Sequence, residues 1–374
     1  MDIKLIYHLI AGAFSLKKGN MRFFSIRRIL VVLVLFPVFV LILITNRIFL
    51  LLDYILVPFF CFQKIKSPVF IVAAPRSGTT FLYHSLAKYT NTFTCFKLWE
   101  IVFAPSVIQK CILLGIKRID SFIGSPLKKL VLFVESLLVG NLKTVHLLGL
   151  NLPEEDEGLL LWSLSSIYLN FFYPDSTFFD KYLYFDKELP TWRRKWIMRS
   201  YRNYLKRHNF VFNRKGTWRF LSKNPLMMCK LVSLKEQFPD AIILNINRCP
   251  SETIPSTIAL NNTLYGLFTS IAPTVEVNDK TKKILIDWYR MADEALAIHY
   301  KEKHLKIDFY QLVQNNQATL NEIRLFLGMN EFEPLLKESE VKHQRSKNKY
   351  EPLMEPELAE IMLQMPFMKP YTRK

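Results

Sequence analysis

Two short groups of residues carry most of the chemistry this sequence offers. The first is Pro75-Arg76-Ser77-Gly78-Thr79-Thr80, between a continuous apolar run at 68–74 and a helical pattern from 79 to about 89. The start of a helix presents free backbone N–H groups and the positive end of the helix dipole, so it attracts an anion. Gly78 lets the main chain approach a ligand closely, Ser77, Thr79 and Thr80 add hydroxyl donors, and Arg76 adds a fixed cation with several N–H groups. Together they describe a cradle for phosphate or sulfate. The plain alternative is a Ser/Thr-capped turn.

The second group is Arg248, which follows an apolar run at 241–247, with Ser256 eight residues on. Parallel strands carry their ligand sites at the carboxyl ends, so Arg76 and Arg248 should face one crevice. Two basic loops there imply a ligand with two separated anionic groups. The loop at 75–80 is not a Walker A motif: position 73 is Ala, and no Lys precedes Ser77 or Thr79. A generic kinase or NTPase is disfavoured on that ground.

The elements that must hold these groups read as an α/β fold. Strand patterns fall at 68–74, 218–222, 241–247 and 305–309, and helical patterns at 79–89, 226–238, 252–262, 282–302 and 317–327. Strands alternating with helices argue for a parallel sheet flanked by crossover helices. A helical, aromatic-rich insertion spans about 105–210. The chain of 374 residues, half of them hydrophobic, suffices for one large domain with an appendage. The net charge of +18 suits a phosphate-rich ligand, an anionic membrane or nucleic acid. No nucleic-acid module is recognisable, so nucleic acid is not expected as a partner. Five cysteines and seven histidines show no metal-ligand spacing, so no metal site or disulfide framework is expected.

Residues 29–44 form an apolar run containing Pro37, and a second run at 48–62 contains Asp53 and Pro58. Lys17, Lys18, Arg22, Arg27 and Arg28 precede them, a basic flank that favours membrane attachment. Each run is short for a bilayer whose core takes about 20 apolar residues per helix, and a crossing through both must bury Arg47. Two topologies stay open: a single anchor, and a re-entrant hairpin bent at the prolines that keeps the domain on the side of the N-terminus. A buried hairpin in a soluble protein is the plain alternative. The expected division is a membrane-attachment segment at 1–64 and one domain at 65–374.

With both anion elements in place, the chain resembles the PAPS-dependent sulfotransferases, particularly their bacterial-type branch, over about 66–350. PRSGTT resembles that family's 5'-phosphosulfate loop, and Arg248 with Ser256 its 3'-phosphate motif. LSKNP at 221–225, FPDA at 238–241, NLPEED at 151–156 and LKIDFYQLVQ at 305–314 occur in the order the branch uses. Cys249 stands where the family usually has Asp, and Tyr310-Gln311 replaces an acidic pair.

The resemblance implies a P-loop-like sulfotransferase fold and in-line sulfuryl transfer from 3'-phosphoadenosine-5'-phosphosulfate (PAPS) to a hydroxyl acceptor, without metal. It gives Arg76 the leaving phosphate oxygen, Ser77, Gly78, Thr79 and Thr80 the 5'-phosphate, and Arg248 and Ser256 the 3'-phosphate. Glu100, after the first helix, stands where relatives carry a catalytic Glu, and its apolar neighbours suggest a raised pKa. Glu155, in the acidic run at 154–156, is its competitor, although Pro followed by acids is also how helices begin. Lys223 at a strand end, and His343 and Ser346 in a late basic segment, are further candidates for contact with donor or substrate. The membrane segment and the aromatic insertion point to a lipid, sterol or glycolipid acceptor. A catalytically silent membrane-bound nucleotide-binding protein and a P-loop phosphotransferase are the alternatives. Cytosolic synthesis of the donor favours a membrane-associated protein with a cytoplasmic domain; a eukaryotic Golgi enzyme would face the lumen.

Overall fold

The architecture comes from a computed structural model that describes residues 13–15, 20–139, 149–173, 176–329 and 352–371. The main elements, in chain order, begin with helix α1 (Ile26–Leu56). Then come β1 (Val69–Val72), α2 (Thr79–Ala87), β2 (Phe93–Thr94), α3 (Leu98–Val102), α4 (Val107–Phe122) and α5 (Pro126–Val139). A 3-10 segment, Asp156–Ser163, and the long helix α6 (Thr191–Phe212) precede β3 (Arg219–Lys223) and α7 (Leu231–Gln237). The chain continues through β4 (Ile242–Asn247), α8 (Pro250–Phe268), α9 (Val275–His299), β5 (His304–Asp308) and α10 (Asn316–Phe326).

The chain divides into two compact units. One comprises residues 66–95, 218–259 and 279–374 and contains the sheet. Its five strands run in the order β2-β3-β1-β4-β5, all parallel, with Val69 opposite Leu221 on one side and Ile242 on the other. β1 is buried at every position, as its unbroken apolar run requires of a central parallel strand. Val69, Ile71, Leu244 and Ile246 pack with Leu82 and Leu86 of α2 and with Leu320 and Ile323 of α10. Because β3 lies on one side of β1 and β4 on the other, the strand order reverses at β1, and ligand sites form at the carboxyl edge of such a reversal.

Four of the five strands lie close to the sequence expectation. β2 was not anticipated; two residues carry no period. The helical pattern at 226–238 resolves into a 3-10 turn, Pro225–Lys230, followed by α7. α9 starts at Val275, ahead of the expected 282, because polar residues fill its first turns.

The other unit comprises residues 1–65, 96–217 and 260–278. Here α1 replaces the two short runs expected from the sequence. It is one helix of 31 residues, and the hairpin bent at the prolines does not form. Pro37 follows a π-helical turn, Val31–Leu35, that accommodates its missing N–H, and Pro58 lies beyond the helix end. Polar Asn46 does not break the helix because it has partners: its Nδ2 donates to Val102 O at 3.0 Å, and Gln109 Nε2 donates to its Oδ1 at 2.7 Å. Asp53 is buried, accepts from Ser106 Oγ and from the Val107 and Ile108 N–H groups at the start of α4, and pairs with Arg207 of α6 at 2.7 Å.

Candidate functional site

The anion loop takes the shape its sequence suggests. Ala73 and Ala74 carry the buried strand onward, and the chain then turns through left-handed conformations at Arg76 (φ 68°) and Gly78 (φ 81°) before α2 begins at Thr79. Gly78 is the N-cap of α2, with no side-chain cap hydrogen bond. A Cβ on Gly78 would sit 2.9 Å from Phe309 Cε2, so the close approach at this turn admits only glycine without displacing that ring. Ser77 is fully buried, and its Oγ lies near the Tyr289 phenol without a hydrogen bond of good geometry. An orphaned hydroxyl in a glycine cradle at a helix N-terminus is what a phosphoryl or sulfuryl oxygen would satisfy. The residues present therefore fit an anionic donor group.

The second anion element joins the first. Arg248 Nη1 donates to the Arg76 carbonyl at 2.6 Å, and Arg76 Nε donates to Ser256 Oγ at 3.2 Å. Arg248 is itself gripped by Glu252, through Nε at 2.9 Å and Nη2 at 2.5 Å, and its guanidinium lies over the Phe309 ring at 4.3 Å. Thr257 Oγ1 donates to Pro75 O at 3.3 Å, tying α8 to the loop. Tyr289 of α9 shares a hydrogen bond with Thr253 and donates to Arg248 O at 3.3 Å. Burial pushes its phenol up to about 12, so it remains protonated and able to donate. Lys223, at the end of β3, is buried and donates to Thr80 Oγ1 at 3.1 Å. Arg76, Ser77, Gly78, Thr79, Thr80, Lys223, Arg248 and Ser256 are thus gathered in the sheet-bearing unit, at the ends of β1, β3 and β4. Phe309, Tyr289 and Glu252 were missed as site residues: Phe309 lies in the family-like stretch 305–314, but nothing local assigns it or the other two to the loop.

Glu100 belongs to the other unit, in α3. It is buried, and its Oε2 meets His208 Nδ1 of α6 at 2.8 Å and Lys110 Nζ of α4 at 3.9 Å. Burial opposes ionisation, yet His208, Lys110 and the Lys97 N–H together hold the carboxyl below the ordinary carboxylate value. The raised pKa expected from apolar neighbours is thereby corrected: charged partners outweigh them. Burial pulls the Lys110 ammonium down to about 8, with Glu100 opposing that pull. Neither His208 nor Lys110 was found from sequence, since they lie 108 and 10 positions from Glu100 and share no motif with it.

The acidic run does not begin a surface helix. Glu155 accepts from Tyr168 Oη at 2.5 Å, Asp156 from Tyr201 Oη at 2.6 Å, and buried Glu157 from Ser166 Oγ and the Ile167 N–H at 3.2 Å each. His343 and Ser346 lie outside the described residues.

Comparison with known proteins decides the family. Residues 68–334 match the model of the sulfotransferase family. The chain belongs to that family. It is 28% identical over 195 residues to the omega-hydroxy-beta-dihydromenaquinone-9 sulfotransferases Stf3 of Mycobacterium bovis and Mycobacterium tuberculosis, covering 50% of this chain and 47% of theirs. The chain thus spans about half the length of the curated relatives it matches. The crystal structure of sulfotransferase STF9 from Mycobacterium avium superposes with a TM-score of 0.66 at 12% identity, over 87% of this chain and 82% of that one. Sulfotransferase STF1 from Mycobacterium tuberculosis superposes with a TM-score of 0.64 at 16% identity, over 96% of this chain and 90% of that one. At such identities the likeness speaks for the fold.

Proposed function

We propose that this sulfotransferase-family protein moves a sulfuryl group from PAPS to the hydroxyl of a hydrophobic, membrane-resident acceptor. The observation that carries the reading is the direct link between the two anion elements: Arg248 bonded to the Arg76 carbonyl, and Arg76 to Ser256. Side chains that touch each other at adjacent strand ends can grip one nucleotide by both its phosphate groups.

The donor supplies an activated sulfur whose bond to the bridging phosphate oxygen breaks as the acceptor oxygen bonds to sulfur, releasing adenosine 3',5'-bisphosphate. Negative charge grows on the bridging oxygen, and preorganised donors aimed there lower the barrier. Arg76 stabilises that oxygen in this reading, while the N–H groups at Gly78, Thr79 and Thr80, with Ser77, hold the 5'-phosphate. Lys223, kept in place by Thr80, adds a second cation to the same loop. Arg248 and Ser256 hold the 3'-phosphate. The acceptor's proton passes to a base, the role that the resemblance gives to Glu100.

A lipid, sterol or glycolipid acceptor draws support from the apolar helix α1 and from the lipid quinone named for the curated relatives. In this proposal the N-terminal segment and the helical insertion form the membrane and acceptor side, and residues 65–374 the transferase domain. Arg76→Ala should lower sulfuryl transfer by about 10²–10³-fold, the usual loss of one transition-state donor. Labelled PAPS with a lipid extract reads transfer, and calorimetry with adenosine 3',5'-bisphosphate reads binding. Unchanged transfer in that variant would overturn the reading.

A further inference from the structure

Helix α1 has its polarity reversed relative to a helix in water. Its buried positions include Arg28, Asn46 and Asp53, each hydrogen-bonded to protein groups. Its outward positions, Leu30, Val34, Leu41, Ile44, Leu51 and Ile55, recur at helical spacing and are all exposed and apolar. A helix facing water carries its polar residues outside; this one buries Arg28, Asn46 and Asp53, leaves Arg27 exposed at its start and Arg47 half-buried, and turns leucine and isoleucine outward. α5, which packs on α4 as α4 packs on α1, goes further, with Leu130, Leu132 and Phe133 each at least half exposed and none of its described side chains buried.

α1 is also packed along its length against its own unit. Arg27 donates to Gly266 O near the start, Phe39 stacks on Trp162 at 5.9 Å, Asn46 bonds Val102, and Asp53 pairs with Arg207 near the end. From Arg27 to Asp53 is about 39 Å of helix at 1.5 Å per residue, more than the roughly 30 Å of a bilayer's hydrocarbon core. Were α1 to cross that core, the buried charges of Arg207 and Lys110 that flank it would be carried in as well. Lying in the interface exposes only the apolar side to lipid.

The charge on α4 and α5 completes the case. On α4 and α5 the exposed Lys117, Arg118, Lys128 and Lys129 stand without an exposed acid among residues 107–134, since Asp120 is buried capping α5 through the Leu127 and Lys128 N–H groups. Such cations are complementary to anionic headgroups.

We propose that α1 and the α4–α5 pair insert together into one leaflet of an anionic membrane, with α1 lying in the membrane plane. This inference is independent of the sulfuryl-transfer reading. The test uses the full chain reconstituted into phosphatidylcholine vesicles with and without phosphatidylglycerol. In a background with Cys61, Cys95 and Cys111 replaced by Ser, an environment-sensitive fluorophore is attached in turn through Leu30→Cys, Leu41→Cys and Leu51→Cys and quenched by lipids spin-labelled at graded depths. The expected result is one shallow depth for all three. Depths that step by about 15 Å per ten residues across the bilayer centre would overturn the proposal. So would labels that no lipid quenches while the chain self-associates, which would assign the face to a second copy.

As a second measurement, Ile44→Lys with Leu51→Lys should cut vesicle partitioning by about tenfold or more while adenosine 3',5'-bisphosphate still binds. Full retention on vesicles would overturn insertion through this face. Replacing the four cations of α4 and α5 with Gln should remove the preference for phosphatidylglycerol; an unchanged preference would remove the headgroup part of the proposal. The depth measurement stands whether or not the lysine variant folds.

Discussion

Gly78 shows how a single residue ties backbone geometry to ligand binding. Its φ of 81° is one that side chains rarely adopt, and a Cβ there would press on Phe309, the ring that also carries Arg248. Gly78→Ala should therefore cost about 1–3 kcal/mol through backbone strain and weaken nucleotide binding by displacing the Phe309–Arg248 stack. Adding Phe309→Leu should relieve the clash but not the strain, giving partial recovery in thermal unfolding; full recovery would show that the backbone conformation costs little. Glu100 is read through its partners. Its carboxyl is held below the value of about 4.3 expected when unfolded. The stability this contributes is present above that unfolded value and is lost as pH falls through the lower folded one. Urea unfolding should show wild type ahead of Glu100→Gln at neutral pH, with the gap closing as the pH is taken below about 4.3. A gap independent of pH would mean that the carboxylate's charge contributes nothing. Motif composition exposed the loop residues, whereas His208 and Lys110, which set the state of Glu100, approach it only through helix packing.

Among the elements, α1 departs most from expectation. Read by hydropathy, Asp53 and Arg47 divide an apolar stretch into two short pieces; in the fold, Asp53 is a buried cap for α4 and the partner of Arg207, whose guanidinium also stacks on Phe60 at 4.1 Å. Removing one member of a buried ion pair strands the other, so Asp53→Ala should destabilise by about 3–5 kcal/mol in detergent-solubilised protein. Thermal unfolding measures this, and a loss below about 1 kcal/mol would show that water replaces the carboxylate, as at an exposed pair. The strands behave differently. β1 and β4 are short continuous apolar runs, a pattern that two-sided burial in a parallel sheet nearly dictates, so they were legible with little error. β2, two residues long, takes its identity only from pairing with β3.

At the scale of the whole molecule, a net charge of +18 keeps the protein attractive to every polyanion, whether nucleotide or headgroup. Its distribution separates the two: Arg76, Arg248 and Lys223 are drawn inward by Ser256, Glu252 and Thr80, while Lys117, Arg118, Lys128 and Lys129 remain at the surface. By itself the sequence determined the α/β class, the positions of the main strands along the chain, and a glycine-hinged anion loop at a helix N-terminus. Those features are local, written in apolar runs, turn residues and the spacing of a few cations. Only the tertiary structure decided that Arg248 closes on the Arg76 carbonyl, that Glu100 is paired instead of isolated, and that the N-terminal apolar stretch is one helix with Arg28, Asn46 and Asp53 turned inward. Each of these depends on residues far apart in the chain, and no local pattern encodes which side of a helix will pack on protein and which will face outward.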